Sequence, residues 1–232
     1  MKILAIGDSL SLPGHGNRYE DTWIYLAKMA FSQNDFITLF RRSLTTDVLV
    51  NEGGGELVGF PPGSDCLEHF SPDVVILQLG IVDCSPRLFK KNSLSLKILK
   101  ALPSNLSVAL LEMIKKFKKR SVKNSYVPIK KFYANLTCFL DRCKANQVKK
   151  VIYIAIAYPA NSMESKSPLM WQSVSEYNEI LVNLAEKYDF YNVIFPLSEK
   201  MSNENVYDDG YHPNPKGNQL VFEKLAESLS SL

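Results

Sequence analysis

Five short apolar runs, separated by stretches with helical periodicity, constrain this chain more than any other feature. The runs are "KILAI" (2–6), "FITLF" (36–40), "DVVILQLG" (73–80), "KVIYIAIAY" (150–158) and "YNVIFP" (191–196). Several close on a glycine or proline: Gly7, Gly80, Pro159 and Pro196. Apolar residues recur at helical spacing over 20–31, 107–120, 129–146, 169–188 and 215–229. Near-continuous apolar strands alternating with amphipathic helices predict a parallel sheet covered on both faces. The expected fold class is α/β, a three-layer α/β/α sandwich on a flavodoxin-like five-stranded parallel sheet. Ligands of such open sheets bind outside the carboxyl ends of the strands. The residues after Ile6, Gly80 and Tyr158 are therefore the ones to read for chemistry.

The chain has 232 residues, of which 46% are hydrophobic and 22% charged. That fits one globular domain over 1–232. The span 88–128 is too long for a plain connection and reads as a helical insertion. Charge is concentrated there: residues 87–131 hold 13 Lys or Arg against one acid, Glu112, in a chain of net charge +3. A basic surface over an acidic body favours an anionic ligand. It lacks the aromatic interleaving of a nucleic-acid site, so no nucleic acid is expected. No segment reaches 18 uninterrupted apolar residues, so no membrane span is expected. The "MKILAIGDS" start lacks a signal peptide's length and cleavage site, which predicts a cytoplasmic protein. Cys66, Cys84, Cys138 and Cys143 have neither the spacing nor the neighbouring histidines of a zinc site, and read as free thiols.

Ser9 stands at the edge of the first strand, in "GDSLS". On its own it reads more readily as a turn residue capping a helix. A serine hydroxyl becomes a nucleophile only beside an imidazole, whose tautomer a carboxylate must fix. The stretch "YDDGYHPNPKG" (207–217) holds both groups: Asp209 and His212, three apart on a loop before the last helix. Asp208 has the wrong spacing. Of the other two histidines, His69 reads as structural, and His15 as part of a solvated loop near Ser9. Asn214 with Pro215 behind it predicts the start of the terminal helix.

"GDSL" after an apolar strand, with "DGYHPNPKG" before the terminal helix, resembles the SGNH (GDSL) hydrolase family. "PDVVILQLGIVD" is similar to the family's third block, a strand running into Gly-x-Asn-Asp. The resemblance implies a serine-dependent ester hydrolase with Ser9 as nucleophile, His212 as base and Asp209 as its orienter. It implies no cofactor and no metal. The third block departs from the family: Val82 stands where an oxyanion-donating asparagine is expected, and valine donates nothing. The second block's backbone donor falls on Ser43, in "RRSLTTD", or on Gly55, in "NEGGGE". Arg87, five residues past Val82, either faces the oxyanion or clamps a substrate carboxylate. Among substrates the family implies, O-acetyl groups on a carbohydrate are favoured, and the basic insertion mildly favours an acidic sugar or polysaccharide precursor. Two alternatives stay open: an O-acyltransferase using the same serine, and a glycan-binding protein on a degenerate hydrolase fold.

Overall fold

A computed structural model describes residues 1–14, 16–50, 66–87 and 124–231, with 98–99, 101–103, 105–108, 110 and 113–114 between them. Strands β1 (Lys2–Gly7), β2 (Asp35–Phe40), β3 (Val74–Gln78), β4 (Lys150–Ile154) and β5 (Tyr191–Ile194) form one sheet. Its order is β2-β1-β3-β4-β5, and every pairing is parallel. The chain leaves β1 to build β2 on one side, then crosses back to build β3 on the other. The reversal opens a crevice beyond the carboxyl ends of β1 and β3.

Side-chain alternation assigns the two layers. Leu4 and Ile6, Val75 and Leu77, and Val151 and Tyr153 point to one face. There they meet α2 (Cys66–Phe70), α3 (Ile81–Cys84), α4 (Ile129–Ala145) and α5 (Met170–Lys187). Ile3 and Ala5, Val74 and Ile76, and Ile152 and Ile154 point to the other. That face is covered by α1 (Trp23–Ala30) and α6 (Pro215–Ser230). The central strands β1, β3 and β4 are nearly continuous apolar runs because both faces are covered. Helix α4 turns Phe132, Leu136, Phe139, Leu140 and Cys143 inward, all at 0% exposure. Each of the large ones contributes about 1.5–3 kcal/mol by leaving water.

Local signals set the helix boundaries. The expected helix over 20–31 is a 3₁₀ turn (Tyr19–Asp21) followed by α1, because Thr22 caps α1 by accepting from the Tyr25 amide. Asn214 caps α6 by accepting from the Gly217 amide at 3.0 Å, with Pro215 at the first helical position. The fourth strand is shorter than its apolar run. Ala155 donates to Ile194 O at 2.9 Å, and there β5 ends. The next residue, Ile156, is paired through both backbone groups by the Asn178 side chain, at 2.9 Å each. An amide from α5 thus replaces a sheet neighbour and frees the chain to leave the sheet. Among the described residues no helix is long and apolar enough to cross a membrane. Most of the insertion over 88–128, with its lysines, lies outside the described residues.

Candidate active site

Ser9 begins a short 3₁₀ turn, Ser9–Ser11, at the end of β1. Asp8 caps that turn, its Oδ1 accepting from the Leu10 amide at 2.9 Å. The turn folds back onto the strand: a Cβ at Gly7 would lie 2.1 Å from Ser11 Oγ, so a side chain there is excluded. Ser11 Oγ donates to Gln78 Oε1 at 2.6 Å, and Trp23 Nε1 donates to the same oxygen at 2.8 Å. The nucleophile candidate is therefore fixed to the ends of both β1 and β3.

The loop after β5 brings the other two groups. Gly210 takes a φ of +104°, a conformation that favours glycine, and its carbonyl accepts from the Ala160 amide at 2.7 Å. Tyr207 donates its hydroxyl to Tyr158 O at 2.6 Å, which ties this loop to the segment after β4. Asn17 Nδ2 reaches Asp208 Oδ2 at 2.8 Å and Pro213 O at 2.9 Å, which ties it to the loop after β1. Asp209 Oδ1 accepts from the Tyr211 amide at 3.2 Å and the His212 amide at 3.0 Å. Its Oδ2 lies 2.8 Å from His212 Nδ1, and His212 Nε2 lies 3.1 Å from Ser9 Oγ. Burial alone raises the Asp209 pKa, but the hydrogen bonds from His212 and Tyr211 together hold it below the usual carboxylate value. An ionised Asp209 keeps the proton on Nδ1, leaving the Nε2 lone pair facing the Ser9 hydroxyl. That is the arrangement a general base needs.

Ser9 opens into a cavity of about 310 Å³ that Ser43, Val82, Arg87, Met163 and Tyr211 also line. Ser43 has a φ of +64°. Among the described residues, neither the Ser9 nor the Ser43 amide donates to a loop carbonyl or a side chain. Both residues line the cavity. Gly80 turns the chain out of β3 at a φ of +106°, with Ile156 Cδ1 2.6 Å from where a Cβ would stand. Val82 follows on α3, 7% exposed and apolar.

The support beneath this wall was not legible in the sequence. Asp83 is fully buried, and its Oδ1 accepts from both the amide (2.9 Å) and the hydroxyl of Thr46. Asn135 of α4 donates to Thr46 Oγ1 at 3.2 Å and to Asp47 Oδ1 at 3.1 Å. Only the position of Asp83 at the end of the third block hinted at its importance. Burial pushes the Asp83 pKa up to about 6, against the opposing bonds from Thr46. Burial likewise pushes Asp8 up to about 8, although the Leu10 amide works the other way.

Arg87 leaves the end of α3 with its amide bonded to Asn124 O at 2.7 Å. Its guanidinium carbon lies 4.5 Å from the centroid of the Tyr126 ring. Its Nε is buried and has no acceptor among the described residues. His69 sits on α2 with its ring edge-on to Phe70, centroids 4.7 Å apart. Gly55 and His15 lie outside the described residues.

Residues 3–225 match the family model described as GDSL-like Lipase/Acylhydrolase. The chain belongs to that family and is an SGNH-type esterase. No curated protein sequence matches it. Among solved structures, TesA is 15% identical, covers 100% of this chain and 99% of its own, and superposes with a TM-score of 0.63. The psychrotrophic esterase EstA from Pseudoalteromonas sp., in a form inhibited by monoethylphosphonate, is 16% identical with a TM-score of 0.60, covering 99% and 97%. A catalytic mutant of Axe2, an acetylxylan esterase from Geobacillus stearothermophilus, is 15% identical with a TM-score of 0.60, covering 98% and 93%. These likenesses bear on the fold.

Proposed function

We propose that the protein removes O-acetyl groups from a carbohydrate through a Ser9 acyl-enzyme. The observation that carries this reading is the placement of His212, between Asp209 and Ser9 at 2.8 and 3.1 Å. Ser9 Oγ attacks the ester carbonyl as its proton passes to His212 Nε2. The imidazolium, stabilised by Asp209, returns that proton to the departing sugar hydroxyl. Water then repeats the sequence in reverse roles, releasing acetate and restoring Ser9. The amides of Ser9 and Ser43 hold the oxyanion. With Val82 in place of a side-chain donor, the site forgoes about 3–4 kcal/mol of transition-state stabilisation that one such donor supplies. A cavity of about 310 Å³ lies at the small end of ligand sites, which suits an acetyl group better than a long acyl chain. The fold shared with an acetylxylan esterase is in keeping with a sugar ester.

The test is labelling with a fluorophosphonate, followed by acetate release from O-acetylated sugars. The native protein should be labelled, Ser9→Ala should not, and acetyl esters should be cleaved faster than octanoyl esters. Label retained in Ser9→Ala rejects the nucleophile. A preference for octanoyl esters rejects the substrate.

A further inference from the structure

The cavity beside Ser9 contains a cation with no function in the reaction as written. Among the described residues lining it, Arg87 alone carries a full charge at neutral pH. No described carboxylate is within ion-pairing distance of it. The Nε, buried and without an acceptor among the described residues, is an orphan donor of a charged group, which a fold normally avoids. The Tyr126 ring lies against the guanidinium, while the backbone hydrogen bond from the Arg87 amide to Asn124 O holds the main chain at this point. No hydrogen bond joins Arg87 to Ser9 or His212 among the described residues. Arg41 and Arg42, both exposed, adjoin Ser43 on the same edge of the sheet and add positive potential.

We infer that Arg87 is a carboxylate-binding subsite and that the sugar deacylated at Ser9 carries a carboxylate. A planar guanidinium held against an aromatic face offers the paired N–H geometry that a carboxylate matches in its own plane. A neutral sugar would leave that donor set unanswered in a partly buried wall. A carboxylate that reaches the guanidinium from the cavity gains a charge-assisted pairing that a neutral sugar cannot make, so discrimination resides in Arg87. This assignment deepens the proposed ester chemistry and rests on it.

The experiment separates the two. Ser9→Ala protein, which cannot turn over, is titrated by NMR with methyl glucuronoside and methyl glucoside, which differ by one carboxylate. The glucuronoside should bind about tenfold more tightly or better, the scale of a charged hydrogen bond. The difference should vanish when Arg87→Gln is added and shrink with Arg87→Lys, which keeps the charge but loses the fork. With Ser9 intact, the ratio of kcat/KM for the mono-O-acetylated forms of the two sugars should follow the same order. Thermal melts identify a variant that fails to fold, in which case Arg87→Lys carries the test. Equal binding of the two sugars, or a preference that survives Arg87→Gln, overturns the subsite. Glucose 6-phosphate binding through Arg87 as tightly as the glucuronoside overturns the carboxylate assignment. An Arg87-dependent binding preference without any ester cleavage keeps the subsite and rejects the ester chemistry.

Discussion

Asp83 holds Thr46 by two hydrogen bonds to a single oxygen, Oδ1, one from the amide and one from the hydroxyl. Thr46 lies three residues beyond Ser43, which lines the cavity with Ser9. The third block of this sequence therefore fixes the second. Asp83→Ala would strand two buried donors on Thr46, each costing about 1–3 kcal/mol. We expect it to lower stability by that order and to lower kcat by loosening the Ser43 amide. Asp83→Asn keeps an acceptor and should lose less of both. Chemical denaturation and ester turnover measured on the two variants check this, and equal effects would remove Asp83 from the support of Ser43.

Asp8 and Asp83 also set a pH dependence. Their folded pKa values, about 8 and about 6, both lie above the value of 3.8 from which they start. The folded state therefore holds protons that the unfolded chain has released, so these groups cost stability as pH rises. For Asp83 the penalty builds from about pH 4 to 6 and amounts to about 3 kcal/mol. For Asp8 it continues to about pH 8. Other carboxylates act oppositely at low pH, so the informative quantity is wild type minus variant. Asp8→Asn should gain on the wild type steadily between pH 4 and 8. A difference that is flat, or that favours the wild type at pH 8, contradicts the assignment.

Asp209 and Asp208 differ in what they hold. Asp209 bonds His212 Nδ1, whereas Asp208 Oδ2 accepts from Asn17. Asp209→Asn leaves an amide that stabilises the wrong tautomer, and kcat should fall by about a thousandfold or more with KM little changed. Asp208→Asn should cost a few-fold at most. The opposite ranking would reject Asp209 as the orienter.

What the sequence revealed, and what it hid, follows from how each feature is encoded. Strands buried on both faces announce themselves as apolar runs, and the cap at Asn214 is a local signal. Asp209 and His212 lie on one loop, so three residues of spacing sufficed to pair them. The end of β4 did not show, because the apolar run continues past Ile154 while the pairing partner at Ile156 is Asn178, 22 residues on. Asp83, Thr46 and Asn135 escaped for the same reason. Each is an ordinary polar residue in its own segment, and only the fold brings them to one buried cluster.

Gly80 is a point where backbone and packing make the same demand. Its φ of +106° is strained for any other residue, and a Cβ would press on Ile156 Cδ1 at 2.6 Å. Gly80→Ala should destabilise by about 1–3 kcal/mol and shift α3, carrying Val82 and Arg87 with it. A melt within a degree of wild type would show that this turn can relax.

Val82 tests how far the backbone donors suffice. The residue lines the Ser9 cavity at the start of α3 and offers no hydrogen bond. An asparagine supplies an N–H that it can aim at the oxyanion in the transition state only. Such a donor raises kcat rather than tightening ground-state binding. Val82→Asn should therefore increase kcat on a small acetyl ester, by up to about a hundredfold where the side chain reaches ideal geometry, with KM nearly constant. Burying an amide at a position 7% exposed has its own cost, so the thermal melt should fall slightly. A lower kcat with unchanged KM would mean that the apolar side chain is itself required, shaping the cavity around the acyl methyl. A lower KM with unchanged kcat would place the new amide on the substrate and away from the oxyanion.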